Sequence, residues 1–203
     1  FRTQVEIRIP LTYTPTLQLI TWLVVMICPL ITMRLLAEEK NKGTLEVLMT
    51  SPVTELQVVM GKYASAIVFL AFLLLPTMGY IILISQYGDV DWRAVMTGYA
   101  GVLLAGACIF SIGTFVSSLC QSQVTAGIVT LLISFSLLLM MFFADRIPQD
   151  SVWKAIFLQF YLIGNIQDLL FGVVDSRPLI YCASLIVLFL FMTLRVLESR
   201  RWR

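Results

Sequence analysis

Long apolar segments, separated by short polar ones, run through most of this chain. Five of them have the length of a membrane-crossing helix, at residues 14–33, 63–84, 96–119, 124–144 and 179–194. Roughly 20 helical residues, each rising about 1.5 Å, cross about 30 Å of hydrocarbon. The last segment has an apolar core of only 16 residues, and it reaches that length if its helix continues to Leu197 with Arg195 extended to the interface. The pattern predicts an all-α integral membrane protein with five transmembrane helices.

A densely charged stretch, residues 34–52, lies between the first two spans. Residues 34–41 are predicted to be helical, with Glu38 and Lys42 forming a favourable (i, i+4) pair. Gly43 should end this helix, and Thr44 should cap a second short helix over residues 45–49, before Ser51 and Pro52. We therefore expect residues 34–52 to form two short helices joined by a tight turn, and we call this stretch the elbow. By periodicity alone, a solvated loop whose charges keep it out of the bilayer fits equally well.

Polar and small residues indicate how the second and third spans are held. Thr54 and Gln57 have the capping-box pattern ahead of the second span, and Lys62 is expected to extend to the membrane interface. The third span is rich in small residues, which let another helix backbone approach closely: Gly98, Gly101, Ala105, Gly106, Ala107 and Gly113. For these residues we favour packing within one subunit over a contact between subunits.

Residues 145–178 contain a further short apolar stretch. Its core, residues 155–164, is too short to cross a membrane and is typical of a re-entrant or interfacial helix. Gly164 is expected to end this helix, and Asn165 to cap another over 166–171, before Gly172. We expect Trp153, Phe157, Phe160 and Tyr161 to face lipid or the mouth of a transport path. The alternative is an amphipathic loop with no gating role.

Composition leads to the same class of protein. Hydrophobic residues make up 59% of the chain and charged residues only 13%, so one soluble core cannot hide the apolar side chains and a membrane must be the solvent. The net charge of +2, without a basic cluster interleaved with aromatics, argues against a nucleic-acid partner. The chain has no histidine, which removes the commonest general base and metal ligand and argues against enzymatic chemistry within it. The cysteines, which lack metal-ligand spacing, are interpreted as small buried hydrophobes: Cys28, Cys108, Cys120 and Cys182.

The basic residues predict an orientation. Four arginines follow the last span, whereas the loops after the second and fourth spans carry more acid than base: Arg195, Arg200, Arg201 and Arg203. By the positive-inside rule, the tail and the elbow face the cytoplasm. Five spans then place the N-terminal segment outside, where residues 2–10 are expected to be extended or a short strand.

Several runs of residues form a recognisable set: Thr32-Met33-Arg34-Leu35-Leu36-Ala37-Glu38-Glu39, Lys42-Gly43-Thr44-Leu45-Glu46-x-Leu48, Ser51-Pro52-Val53 and Gly61-Lys62. A second set lies at the far end of the chain: Gly172-Val173-Val174-Asp175, Tyr181, Phe189-Leu190-Phe191 and Leu197-Glu198-Ser199-Arg200-Arg201-Trp202. Together they closely resemble the signature and the last helix of ABC-2 type permeases, specifically the gliding-motility-type branch.

The resemblance implies that the elbow is the coupling helix that touches a separate ATPase subunit, present in two copies. The contacting side chains would be Arg34, Glu38, Glu39, Lys42, Thr44 and Glu46, with Leu45 and Leu48 seating the helix. It also implies short outer-face helices before the last span. The family has six spans, so this chain, as a single domain over 1–203, would lack the N-terminal amphipathic helix and the first span. A second permease copy or a paralogue would lie beside it, with a path lined by the first and third helices.

The function expected from sequence is therefore the permease subunit of an ABC-2 type exporter in the inner membrane. No GxxxxGK[ST] motif occurs, so ATP and Mg²⁺ are expected in the partner subunit and no cofactor in this chain. The scarcity of charges within the spans slightly favours a lipid or lipid-linked substrate. The alternative is a non-transporting membrane component that passes ATPase motion to an extracytoplasmic machine.

Overall fold

The computed structural model describes residues 14–43, 54–86, 91–144, 162–170, 172–173 and 176–201. These residues form seven helices: α1 (Thr14–Thr32), α2 (Ala37–Asn41), α3 (Glu55–Ser85), α4 (Trp92–Leu119), α5 (Gln123–Ala144), α6 (Leu162–Leu170) and α7 (Ser176–Arg201). Five of them, α1, α3, α4, α5 and α7, are long and apolar enough to cross a membrane, as predicted. The described ranges contain no strand, and the segment over 2–10 lies outside them.

Helix α4 is the centre of the molecule. It is buried along most of its length and packs against α1, α3, α5, α6 and α7. Its register with α3 is given by two hydrogen bonds. The Tyr63 hydroxyl donates to the Ala107 carbonyl (3.1 Å), and the Thr77 and Tyr99 hydroxyls lie 2.9 Å apart. Residue numbers rise along α3 as they fall along α4, so these two helices are antiparallel.

Helices α1 and α7 run parallel to α4. Leu17 contacts Gly98 and Thr32 contacts Gly113, so the numbers rise together along α1 and α4. Along α7, Cys182 faces Cys108, and the rings of Phe115 and Phe189 lie 5.7 Å apart. Helices α1, α4 and α7 all end on the same side of the molecule, which we call the elbow end. The opposite side is called the far end. The elbow and the tail of α7 thus share one end of the molecule, as predicted.

Glycines of α4 are sites of close helix approach within this chain. A Cβ placed on Gly98 would lie 2.5 Å from Leu17 Cδ1, and one on Gly113 would lie 2.6 Å from Thr32 Cβ. Gly106 lies against Leu70 of α3 in the same manner. The preference for packing within one subunit is therefore confirmed at these positions. Three cysteines are buried as expected, while the fourth is half-buried: Cys28, Cys108 and Cys182, then Cys120.

Two helices, α4 and α7, extend beyond their predicted spans of 96–119 and 179–194. Helix α4 begins at Trp92 rather than Met96, because the Asp91 carboxylate accepts a hydrogen bond from the Arg93 amide (3.0 Å) and caps the helix earlier. Helix α7 begins at Ser176 and continues to Arg201. Near the end of this helix, Arg195 pairs with Glu198 at 3.1 Å.

Helix α6 also differs from its prediction. It runs without interruption from Leu162 to Leu170, so Gly164 does not end a helix and Asn165 does not cap one. A glycine inside a helix costs about 1 kcal/mol relative to alanine. Burial of one apolar face against the rest of the molecule offsets that cost, through Leu162, Ile166, Leu169 and Leu170.

Candidate functional site

The elbow lies between α1 and α3. Its first residues, Arg34 and Leu35, form a turn instead of a helix. The amides of Arg34 and Leu35 bond to the carbonyls of Ile31 (3.3 Å) and Thr32 (3.1 Å), a spacing tighter than that of an α-helix. Helix α2 then covers only Ala37–Asn41. The prediction that the helix begins at Arg34 is therefore wrong.

A serine from the distant helix α4 causes this late start. The buried Ser117 hydroxyl accepts hydrogen bonds from the amides of Leu36 (3.2 Å) and Ala37 (2.9 Å). The first amides of a helix have no partner within it, and Leu36, at the cap position, has no side chain that could supply one. Ser117 thus caps α2 from outside, and this contact sets where α2 begins.

Lys40 holds α2 to the same end of α4. Its ammonium donates to the carbonyls of Ser118 and Cys120, the latter at 3.3 Å. The last carbonyls of a helix lack intrahelical partners and form its negative end, so a cation is favoured there. Helix α2 is therefore attached to α4 from both directions: its amides bond to Ser117, and its lysine bonds to the carbonyls that follow.

Lys62 attaches the elbow to α3. Its ammonium lies 2.5 Å from the Glu39 carboxylate and donates to the Leu35 carbonyl. The expectation that Lys62 extends to the membrane interface stays a prediction; the structure places its ammonium against the elbow, which supplies both a charge and a carbonyl. The capping box ahead of it is confirmed, with Thr54 and Gln57 bonded in both directions at 3.0 and 3.3 Å.

The other charged residues of the described part of the elbow are Arg34, Glu38 and Lys42. Glu38 and Lys42 form the predicted (i, i+4) pair at 2.6 Å. Gly43 ends the helix as predicted, with a φ of +69° that favours glycine. Four residues of the elbow are exposed: Arg34, Asn41, Lys42 and Gly43. The other predicted contact residues, Thr44, Leu45, Glu46 and Leu48, lie outside the described ranges.

Helix α6 lies at the far end of the molecule. It packs mainly on α4, where Leu169 lies against Gly101 and Leu170 lies near Gly98. It ends as predicted at Gly172, whose φ is +86°. The Gly172 amide bonds to the Leu169 carbonyl (3.1 Å) and the Val173 amide to the Asp168 carbonyl (2.9 Å), a Schellman motif. The predicted gate aromatics, Trp153, Phe157, Phe160 and Tyr161, are outside the described residues.

Sequence reasoning missed Ser117 and Lys40. The available signal was a pair of hydroxyl residues, Ser117 and Ser118, just before the polar turn that ends the third span. Nothing local in that pattern shows which backbone amides a serine will bond to 80 residues away. Within the described ranges, no group of three or more histidine, cysteine, aspartate or glutamate side chains is placed to hold a metal ion.

Comparison with known families gives one match. The family model described as "ABC-2 family transporter protein" matches residues 4–170, which include the elbow and helices α1 to α6. A search of curated proteins returned no match to this chain.

Proposed function

The chain belongs to the ABC-2 family of transporters as a multi-pass membrane permease, and from this premise we propose that it is the membrane subunit of an exporter driven by a separate ATPase through residues 34–52. The observation that carries the proposal is the anchorage of the elbow. Its backbone and two of its charged groups are bonded to α3 and α4, while Arg34, Asn41 and Lys42 remain exposed. A short helix held rigidly to the spans and open on its other side suits a contact that transmits force.

In this proposal, the ATPase subunit and this chain have different roles. ATP and Mg²⁺ bind, and hydrolysis occurs, in the ATPase subunit, because this chain carries no phosphate-binding loop motif. The exposed residues of the elbow contact that subunit, together with Glu38 and the segment that follows Gly43. Two ATPase copies and a second permease, identical or paralogous, complete the assembly.

The elbow end faces the cytoplasm of the inner membrane in this proposal, by the positive-inside rule. The resemblance of the elbow and tail motifs supports placement in the gliding-motility-type branch. No charged residue occurs in the apolar cores 14–33, 63–84, 96–119, 124–144 and 179–194. Ion paths usually place acidic or basic side chains within the membrane, so we propose a lipid or lipid-linked substrate.

Orientation is tested by thiol labelling in intact cells. Asn41 at the elbow end and Gln86 at the far end are both exposed, so a cysteine at either position is open to water. In a Cys120→Ser background, Asn41→Cys should resist an impermeant maleimide until the cells are permeabilised, and Gln86→Cys should react at once. The native cysteines that remain are buried and contribute little background. The reverse pattern would show that the elbow faces outward.

The ATPase contact is tested by charge reversal at Arg34. Arg34 is exposed, so Arg34→Glu should leave membrane insertion and expression unchanged while reducing recovery of the ATPase subunit on purification. Like charges brought together at an interface cost several kcal/mol, and we expect at least a tenfold reduction, which corresponds to about 1.4 kcal/mol. Arg93→Glu is the matched control, since Arg93 is also exposed but lies at the far end. Equal recovery from both variants would exclude this face of the elbow as the contact.

A further inference from the structure

We infer that Ser117 and Lys40 are positioning residues that join the elbow to α4, so that α4 carries a displacement of the elbow to α6 at the far end. The inference rests on the proposed function, because that proposal makes the ATPase the source of the displacement. The motion travels through α4 and enters it at these two side chains.

The first step is the attachment of α2 to α4. Helix α2 has only five residues, and a helix this short is not stable by itself. Its shape depends on the Ser117 hydroxyl, which accepts two of its amide hydrogen bonds, and on Lys40, which bonds to the carbonyls after Ser117. Ser117 is fully buried, so water cannot replace it. Helix α2 therefore moves together with the end of α4.

The second step is the stiffness of α4. Its 28 residues run from the far end to the elbow end and contain no proline. Two of the other helices that meet the elbow have a proline inside, Pro29 in α1 and Pro76 in α3. The third, α5, has no proline but packs on α6 less extensively than α4 does. Proline removes a backbone hydrogen bond and is a common site of helix bending. Of these four helices, only α4 combines a helix without proline with an extensive contact to α6, so it is the best suited to transmit a displacement to the far end.

The third step is the seat of α6. Leu169 Cβ would lie 3.2 Å from a Cβ on Gly101, and Ala94 Cβ would lie 2.7 Å from a Cβ on Gly172. The backbones of α4 and of the α6 segment are thus in close contact at two points. A shift or rotation of α4 would move side chains into this contact, so α6 must move with α4 or separate from it.

The test measures whether loosening the elbow changes α6. Leu169 is 4% exposed, so Leu169→Cys reacts with a maleimide only when α6 separates from α4. Labelling rates are measured on the full chain in lipid nanodiscs, in a Cys120→Ser background. Leu36→Cys, at a position 1% exposed, reports loosening of the elbow itself in a parallel set. Each reporter is combined with Ser117→Ala, Lys40→Met, Ser117→Thr or Lys62→Met.

Ser117→Ala and Lys40→Met should raise labelling at both reporters, by at least about fivefold at Leu169→Cys, the lower end of typical coupling between sites. Ser117→Thr keeps the hydroxyl, so the labelling rates at both reporters should equal those measured with Ser117 in place. Lys62→Met is the matched control, because it frees the elbow from α3 but not from α4. It should raise labelling at Leu36→Cys and leave Leu169→Cys unchanged.

Three results would overturn the inference. The first is an unchanged labelling rate at Leu36→Cys in both Ser117→Ala and Lys40→Met. The second is a changed rate at Leu36→Cys with none at Leu169→Cys, and the third is an equal effect of Lys62→Met on the rate at Leu169→Cys. Lys40→Met gives an independent reading if Ser117→Ala does not fold. No ATPase is present in this experiment. Failure of the inference therefore differs from failure of the proposed function, which the recovery of the ATPase with Arg34→Glu measures.

Discussion

Gly113→Ala is expected to destabilise the protein, by about 1–3 kcal/mol, which is the usual cost of overpacking a well-packed core. The new Cβ would lie 2.6 Å from Thr32 Cβ, well inside van der Waals contact. Thr32 has little freedom to move away, because it is β-branched, fully buried and hydrogen-bonded to the Pro29 carbonyl at 3.1 Å. The contact between α1 and α4 must open instead.

Gly79→Ala is the matched control for this prediction. Gly79 is also inside a long helix, but nothing lies within 4 Å of the position its Cβ would take. Alanine is a better helix former than glycine by about 0.8–1 kcal/mol, so this variant should be neutral or more stable. Thermal unfolding can be followed with a thiol-reactive dye, since Cys28, Cys108 and Cys182 are buried in the folded protein. Equal melting temperatures for the two variants would contradict the close approach of α1 and α4.

The second large effect is expected for Glu38→Gln combined with Glu39→Gln. If these carboxylates contact basic side chains of the ATPase, the double variant should insert and express normally but lose recovery of the ATPase or the ATP turnover of the complex. Glutamine is polar, similar in size and a comparable helix former, so helix α2 itself should tolerate it. Removing one partner of a desolvated interfacial charge pair typically costs about 2–5 kcal/mol, because the other charge is left unpaired.

The internal pairs of the elbow make a control necessary. Glu39 already pairs with Lys62, so its replacement could loosen the elbow without involving the ATPase. Lys62→Met removes the same internal pair but keeps both carboxylates. If the carboxylates act on the ATPase, Lys62→Met should retain more ATPase than the double glutamine variant does. Wild-type recovery and turnover by the double variant would remove both carboxylates from the coupling role.

Features that depend on neighbouring residues along the chain were predictable. The five spans followed from apolar length, since about 20 such residues satisfy the membrane whatever they pack against. Gly43 and Gly172 were predicted to end helices because a positive φ at the helix end favours glycine, and both adopt one. The capping box of Thr54 and Gln57 and the pair of Glu38 with Lys42 also form between residues three or four apart.

The candidate site was predicted only in part, because its position depends on distant residues. The charged elbow could be located from sequence, and its exposed residues Arg34 and Lys42 were among those named. Its attachment could not be predicted, since Ser117 is 80 residues from Ala37, and Lys62 is 27 residues from Leu35. Those contacts decide where α2 begins and which groups the Lys62 ammonium meets.

The sequence by itself determined the five spans found among the described residues, their alternating directions and the local ends of several helices. Apolar length and backbone capping decide these features, and both are properties of single segments. The tertiary structure decided which helix is central, where α2 begins and how α6 continues through Gly164. In each case a side chain or backbone from another segment supplies the partner, and the energy of that contact outweighs the local preference of the chain.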